Sequence, residues 1–137
     1  MSDQMVLSWE EYIRHDGMAL AELVRTGEVS PRELAVQAME ASARVNPLIN
    51  AVIEVFDDVV TDPSKDGMNP SGAFHGVPMM LKDLGSRMKG RLQECGYAWM
   101  DNNIVEDDDL LTRNFRNAGF NLIGRTTTPE DGMAGVT

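Results

Sequence analysis

Cysteine and histidine are scarce in this chain of 137 residues, which contains one cysteine, Cys95, and two histidines, His15 and His75. A single cysteine cannot form a disulfide within the chain, and this favours a reducing, cytoplasmic location. The two histidines lie far apart, and no acidic residues accompany them at metal-ligand spacing. We therefore expect a cytoplasmic protein without a metal site.

Basic residues and long apolar runs are also lacking. The 12 Lys and Arg residues stand against 22 Asp and Glu, which gives a net charge of −10. Nucleic acids and anionic membranes are bound through basic surfaces, so neither is expected as a partner. No apolar run approaches the roughly 18 residues that a membrane span needs, and the start lacks the pattern of a signal peptide. The composition, 42% hydrophobic and 25% charged, is that of an ordinary globular domain.

Two consecutive helices are predicted in residues 16–46. The first begins at Asp16 and ends at Gly27. The second begins at the sequence Ser30-Pro-Arg-Glu33, a capping box with proline at the first helical position. It is predicted to end at Asn46-Pro47, because the residue before proline disfavours helical geometry. Together the two helices form a helical hairpin.

Three strands are predicted in residues 49–137. The first is "INAVIEVF" (49–56), which is rich in β-branched residues. The second, "VPMMLKD" (77–83), is apolar without alternation, as in a strand buried on both faces. The third, "FNLIGRT" (120–126), follows a helix that begins with acidic residues and ends at Gly119. This order predicts an α/β fold, a helical hairpin followed by a mixed, partly parallel sheet with flanking helices.

Lys82 lies at the end of the apolar run "GVPMMLKDL". A charged side chain is unusual there, because burying an unpaired ammonium is costly. Lysine acts as a general base only when it is neutral, and burial or nearby cations favour the neutral amine. Active sites of α/β sheets lie at the C-terminal ends of the strands. The pattern leaves two interpretations open: an inward-pointing base, or a strand-end lysine that turns outward and pairs with Asp83.

Other reactive side chains have simpler structural explanations. His75 has no identifiable nucleophile or orienting carboxylate, so we expect a loop-edge histidine with a structural hydrogen bond. Nothing near Cys95 marks an activated thiolate, so a buried structural cysteine is expected. The acidic run Asp107-Asp108-Asp109 resembles a metal-binding cluster, but a helix N-terminus explains it more simply.

Several segments together resemble the amidase signature family. "GAFHGVPMMLKDL" resembles the family's segment G-x-L-H-G-x-P-x-x-x-K-D, and "NAGFNLIGRTTTPEDGMAGVT" resembles its run A-G-A-x-x-x-G-K-T-N-x-x-E-F. "LAELVRTGEVSPRELAVQAMEASARVNPLINAVIEV" is similar to the family's N-terminal helical pair and first strand. The resemblance covers almost the whole chain in the right order. It identifies residues 1–137 as the N-terminal part of an amidase-signature domain, with the helical pair in 16–46 and an α/β part in 49–137.

The resemblance implies a mixed sheet flanked by helices and hydrolysis of a small-molecule amide at its carbon–nitrogen bond, without a metal or cofactor. By resemblance, Lys82 is the base of a Ser–cis-Ser–Lys triad and accepts a proton relayed from the nucleophilic serine through the bridging serine. The family's loop after the T-x-x-E motif runs close to the acyl pocket. Four candidates for substrate proximity follow: Glu130, Asp131, Gly132 and Met133. Asp131 departs from the family, which usually has an aromatic residue at this position.

The family's two catalytic serines and its oxyanion hole belong to a glycine- and serine-rich stretch that would follow Thr137. None of the chain's seven serines lies in such a motif: Ser2, Ser8, Ser30, Ser42, Ser64, Ser71 and Ser86. We therefore expect an incomplete amidase-signature core that is inactive alone and is completed by the remainder of the amidase chain. The alternative is a catalytically dead truncated domain that binds a partner, or a second copy as a dimer, through an open sheet edge or face.

Overall fold

The computed structural model describes residues 5–137, and its elements follow the predicted order. The helices are α1 (Trp9–Tyr12), α2 (Gly17–Thr26), α3 (Pro31–Ile49), α4 (Asp57–Thr61) and α5 (Leu110–Ala118). The strands are β1 (Val52–Val55), β2 (Pro78–Lys82) and β3 (Asn121–Thr126), and short 3-10 turns cover Pro63–Asp66, Ala98–Met100 and Glu130–Gly132. Within the described residues, no helix combines the length and the apolar character needed to cross a membrane.

The predicted helical hairpin is present, and the predicted residues cap both ends of α2 and the start of α3. The Asp16 carboxylate accepts a hydrogen bond from the Ala19 N–H at 2.8 Å. Gly27 ends α2 in the left-handed conformation, with φ of 77°. At the start of α3, the Glu33 N–H donates to Ser30 Oγ at 3.2 Å, and the Ser30 N–H donates to the Glu33 carboxylate at 2.8 Å. These local contacts explain why the hairpin is readable from sequence.

The helix α3 continues through Asn46-Pro47, so the predicted end of the hairpin at residue 46 is wrong. Proline removes only one main-chain hydrogen bond here, and the helix ends at Ile49 with the Asn50 N–H bonded to Asn46 O at 2.7 Å. The Asn46 side chain accepts from the Val52 N–H at 2.8 Å and donates to Val52 O at 2.9 Å. Because these bonds join the helix end to β1, the first strand begins at Val52 rather than Ile49.

The three strands form one mixed sheet, as the sequence predicted, in the order β1-β3-β2. β3 is the central strand, antiparallel to β1 and parallel to β2. β2 lies at an edge of the sheet and is only partly buried, apart from Leu81. The prediction that β2 is buried on both faces is therefore wrong for the described residues, because only Leu81 of this strand is fully buried and Lys82 is exposed.

The core lies where α3 and α4 pack against the sheet. Its buried residues are Ala35, Ala38, Phe56, Val59, Val60, Leu81, Met88, Leu122 and Ile123. A second cluster attaches the hairpin to the start of β2, and its buried residues are Leu20, Ala21, Val29, Leu34 and Val77. The helices thus pack against the sheet on the side of the hairpin, and loops follow the carboxyl ends of β2 and β3.

Candidate active site

The carboxyl ends of the parallel strands β2 and β3 meet at one edge of the sheet. Lys82 ends β2 and pairs with Thr126, which ends β3. The chain leaves these strands as two loops, residues 83–97 and 127–133. Strand ends of this kind are the usual place for functional side chains in α/β folds.

The Lys82 side chain is exposed at this edge. Of the two interpretations of the apolar run, the inward-pointing side chain is not found in the described residues, because Lys82 is exposed at the outer edge of β2. The alternative pairing with Asp83 is not formed either. Successive side chains of an extended chain point to opposite sides, and Asp83 is buried at 3% exposure. Across residues 5–137, no ion pair or side-chain hydrogen bond engages the Lys82 ammonium.

The turn Glu130–Gly132 lies directly beside the Lys82 ammonium. A Cβ atom placed on Gly132 would lie 3.9 Å from Lys82 Nζ and 2.9 Å from Leu84 Cδ2. Of the four residues predicted near the substrate, Gly132 is therefore brought next to the lysine. Met133 follows the turn and is 87% exposed.

A buried ion pair between Asp83 and Arg125 lies beneath this edge. The Arg125 guanidinium bonds to the carboxylates of Asp83 at 2.7 Å, Glu54 at 2.8 Å and Glu94 at 3.1 Å. Burial acts to lower the pKa of Arg125, but the hydrogen bonds to the three carboxylates outweigh it and raise the pKa. Each of the three guanidinium nitrogens therefore bonds to a carboxylate.

Asp83 also fixes the loop that follows β2. Its carboxylate accepts the main-chain N–H groups of Glu94 at 2.9 Å and Gly96 at 3.3 Å. Gly96 lies so close to the chain after β3 that an added Cβ would be 2.6 Å from Thr128 O. This role of Asp83 and Arg125 was not predicted from the sequence; its signal was an arginine that follows the apolar residues Leu122, Ile123 and Gly124 in the third strand.

Tyr97 and Asp131 join the two loops through a hydrogen bond. The Tyr97 hydroxyl donates to Asp131 Oδ2 at 2.6 Å, and the Asp131 N–H donates to Cys95 O at 3.0 Å. The hydrogen bond to Asp131, followed by desolvation, raises the pKa of Tyr97. The Tyr97 ring packs against Trp99, with 5.1 Å between ring centroids. Asp131 was predicted as a site residue from the family resemblance, whereas its partner Tyr97 was not.

His75 and Cys95 differ from the environments predicted for them. His75 precedes β2, at the opposite end of the strand, and its Nδ1 atom is buried with no hydrogen-bond partner in the described range. The structural hydrogen bond expected for this side chain is not formed at that atom. Cys95 is partly buried rather than fully buried, and it has a left-handed backbone with φ of 53°.

The acidic run before α5 acts in capping, as predicted. The Thr112 N–H donates to Asp109 Oδ1 at 2.8 Å, and Asp108 pairs with Arg116 at 2.9 Å. Within residues 5–137, no three or more His, Cys, Asp or Glu side chains are grouped to hold a metal ion.

Sequence comparison gives a family match. The family described as Amidase matches residues 33–137. The chain is 31% identical over 137 residues to the lipoamidase of Enterococcus faecalis, covering all of this chain and 19% of that protein. It is 39% identical over 127 residues to the 6-aminohexanoate-cyclic-dimer hydrolase of Paenarthrobacter ureafaciens, covering 85% of this chain and 24% of that protein. The chain thus spans about a fifth to a quarter of these relatives.

Solved structures give the same likeness in three dimensions. The structure of a 6-aminohexanoate cyclic dimer hydrolase matches with a TM-score of 0.74 and 36% identity, over 85% of this chain and 24% of that one. The same enzyme has been solved in complex with its substrate. A bacterial aryl acylamidase of the amidase signature family matches with a TM-score of 0.79 at 22% identity, over 88% of this chain and 26% of that one. This last match supports the fold alone.

The first prediction concerns the buried ion pair. Replacing Arg125 with methionine leaves the Asp83 carboxylate buried and unpaired, so we expect a loss of about 3–5 kcal/mol of unfolding free energy. Urea unfolding followed by circular dichroism measures it, and Arg25→Met is the matched control because its pair with Glu22 is exposed. Equal unfolding midpoints for the two variants would contradict a structural role for the Arg125–Asp83 pair.

The second prediction concerns the single cysteine. Burial, and then the negative charges of Asp83 and Asp131, raise the pKa of the Cys95 thiol. Less thiolate is then present at any pH below that pKa, so the folded chain should react with iodoacetamide several-fold more slowly than the chain unfolded in guanidinium. Intact-mass measurements across pH 7 to 10 give both rates. Equal rates for the folded and unfolded chains would show that Cys95 is not perturbed.

Proposed function

Because this chain belongs to the amidase family, we propose that it carries one part of an active site that hydrolyses amide carbon–nitrogen bonds. The observation that carries the proposal is the Lys82 ammonium, which lies at the carboxyl edge of the sheet beside the turn Glu130–Gly132. It is exposed, and no acidic side chain of the described residues neutralises it. An exposed lysine without an acidic partner can form a hydrogen bond with a group supplied from outside the described residues.

In this proposal Lys82 is the base of a Ser–cis-Ser–Lys triad. Two serines from outside the 137 residues complete the site and cover the ammonium. Removing an ammonium from water favours the neutral amine, which is the form that accepts a proton. The nucleophilic serine attacks the amide carbonyl carbon while its proton passes through the bridging serine to Lys82. The leaving amine takes up that proton, and water then hydrolyses the acyl-enzyme.

The turn after β3 is proposed to border the substrate. Glu130, Asp131, Gly132 and Met133 follow the end of β3, and Gly132 is adjacent to Lys82 Nζ. Glycine at this position leaves the space beside the amine free of a side chain. The substrate is proposed to be a small-molecule amide, as the names of the related 6-aminohexanoate-cyclic-dimer hydrolases suggest for those enzymes.

The third prediction tests Lys82 in a complete enzyme. A chimera carries this chain in place of the matching segment of the Paenarthrobacter ureafaciens hydrolase, and hydrolysis of the 6-aminohexanoate cyclic dimer is measured. General-base residues contribute about 10²–10⁴-fold to rate, so Lys82→Met should lower kcat by at least about 10²-fold. Lys89→Met is the control, because Lys89 is exposed and pairs only with Asp107. Near-normal turnover of a folded Lys82→Met chimera would exclude the base role.

A second candidate function is a binding or dimerising module without activity. Apolar side chains at the end of α3 and on β1 favour it: Leu48 is 85% exposed, Ile49 61% and Ile53 45%. Exposed apolar clusters of this kind mark interaction sites.

The fourth prediction separates the two candidates with the isolated 137-residue chain. As part of an amidase, the chain should sediment as a monomer, hydrolyse no amide or ester, and remain unlabelled by a fluorophosphonate. A dimer that is broken by Leu48→Glu would favour the binding module instead. Serine-dependent turnover or labelling would contradict both candidates, because it requires a complete nucleophilic site within the chain.

A further inference from the structure

We propose that Tyr97 and Asp131 are positioning residues for Lys82. Their hydrogen bond holds the turn Glu130–Gly132 against the side of the Lys82 ammonium and sets how much of that side is open to a reacting group. We call the Tyr97–Asp131 hydrogen bond, together with the bond from the Asp131 N–H to Cys95 O, the loop clasp. Its importance for catalysis rests on the proposed function, but its effect on Lys82 does not.

The Tyr97 side of the loop clasp is held in place by buried hydrogen bonds. The loop that contains Tyr97 is fixed by the buried Asp83 carboxylate, which accepts the N–H groups of Glu94 and Gly96. Asp83 is in turn bonded to the buried Arg125 guanidinium on β3. This chain of contacts anchors the phenol hydroxyl to the centre of the sheet.

The other side of the loop clasp has little support of its own. Residues 130–137 are all exposed, so core packing does not hold the turn in place. Asp131 has a left-handed backbone with φ of 48°, a conformation that is uncommon for residues other than glycine, asparagine and aspartate. The turn therefore depends on local main-chain hydrogen bonds, on the contact with Leu84, and on the loop clasp.

The chemistry of the loop clasp differs from that of the resembling family. Where the family usually has an aromatic side chain, this chain has Asp131, whose carboxylate accepts the Tyr97 hydroxyl at 2.6 Å. Hydrogen bonds to a charged acceptor are short and strong. Because a hydrogen bond is directional, this one favours a single placement of the turn beside Lys82 Nζ.

The reactivity of Lys82 tests the proposal in the chain as it exists. The sequence has three lysines, Lys65, Lys82 and Lys89, so the other two serve as internal references. The folded chain is treated with limiting acetic anhydride, and acetylation at each lysine is measured by peptide mass spectrometry. In Tyr97→Phe, which removes only the hydroxyl, we expect the ratio of Lys82 acetylation to Lys65 and Lys89 acetylation to rise at least threefold.

Three further variants and a second measurement complete the test. Asp131→Asn can still accept the hydroxyl and tolerates the left-handed backbone, so it should keep the wild-type ratio within twofold, whereas Asp131→Leu should behave like Tyr97→Phe. Tyr12→Phe removes the other phenol of the chain and should change nothing at Lys82. Hydrogen exchange at the Asp131 and Gly132 amides should be faster, by at least tenfold, in Tyr97→Phe.

The outcomes separate this inference from the proposed function. An unchanged Lys82 ratio in both Tyr97→Phe and Asp131→Leu overturns the positioning role, whether or not exchange in the turn becomes faster. A rise at all three lysines also overturns it, because that indicates general loosening of the chain. These results are independent of the chimera assay, in which Lys82 can be shown to be essential or dispensable whatever the loop clasp does.

Discussion

The ion pair between Arg125 and Asp83 is buried at the junction of β2, β3 and the loop after β2. Burying two charges is costly unless their remaining hydrogen-bonding groups are satisfied. Arg125 meets this condition with three carboxylates, and Asp83 meets it with two main-chain N–H groups in addition to the guanidinium. The pair can therefore exist only if strand ends and loop come together in one arrangement, which makes it a constraint on the whole carboxyl edge.

This constraint also determines the state of the neighbouring lysine. Asp83 faces the interior, so Lys82, which precedes it, faces the other way. The ammonium is consequently adjacent in sequence to a carboxylate but is not neutralised by it. The same carboxylate fixes the loop that carries Tyr97, and through Asp131 this loop reaches the turn beside Lys82. The buried Asp83–Arg125 pair thus leaves the Lys82 ammonium unpaired within the described residues and supports the turn that lies on one side of it.

Local patterns explain which parts of this arrangement the sequence could predict. The helical hairpin depends on capping contacts within three residues of each other, and the strands on composition, so both were predicted from the sequence. The end of α3 was not, because Asn46 stabilises it by bonding to Val52 across the turn. Family resemblance drew attention to Lys82 and to residues 130–133. The Arg125–Asp83 and Tyr97–Asp131 contacts join residues 42 and 34 positions apart, and no local pattern indicates such pairs.

The central claim is that the Lys82 amine serves as the base for hydroxyl groups supplied from outside this chain. A crystal structure of the chimeric enzyme tests it most directly, because it locates every hydroxyl around Nζ. The account predicts a serine hydroxyl within about 2.6–3.2 Å of Lys82 Nζ, the reach of a general base. A structure in which the Asp83–Arg125 pair and the turn Glu130–Gly132 are intact, but no serine hydroxyl is within reach of Nζ, would contradict it.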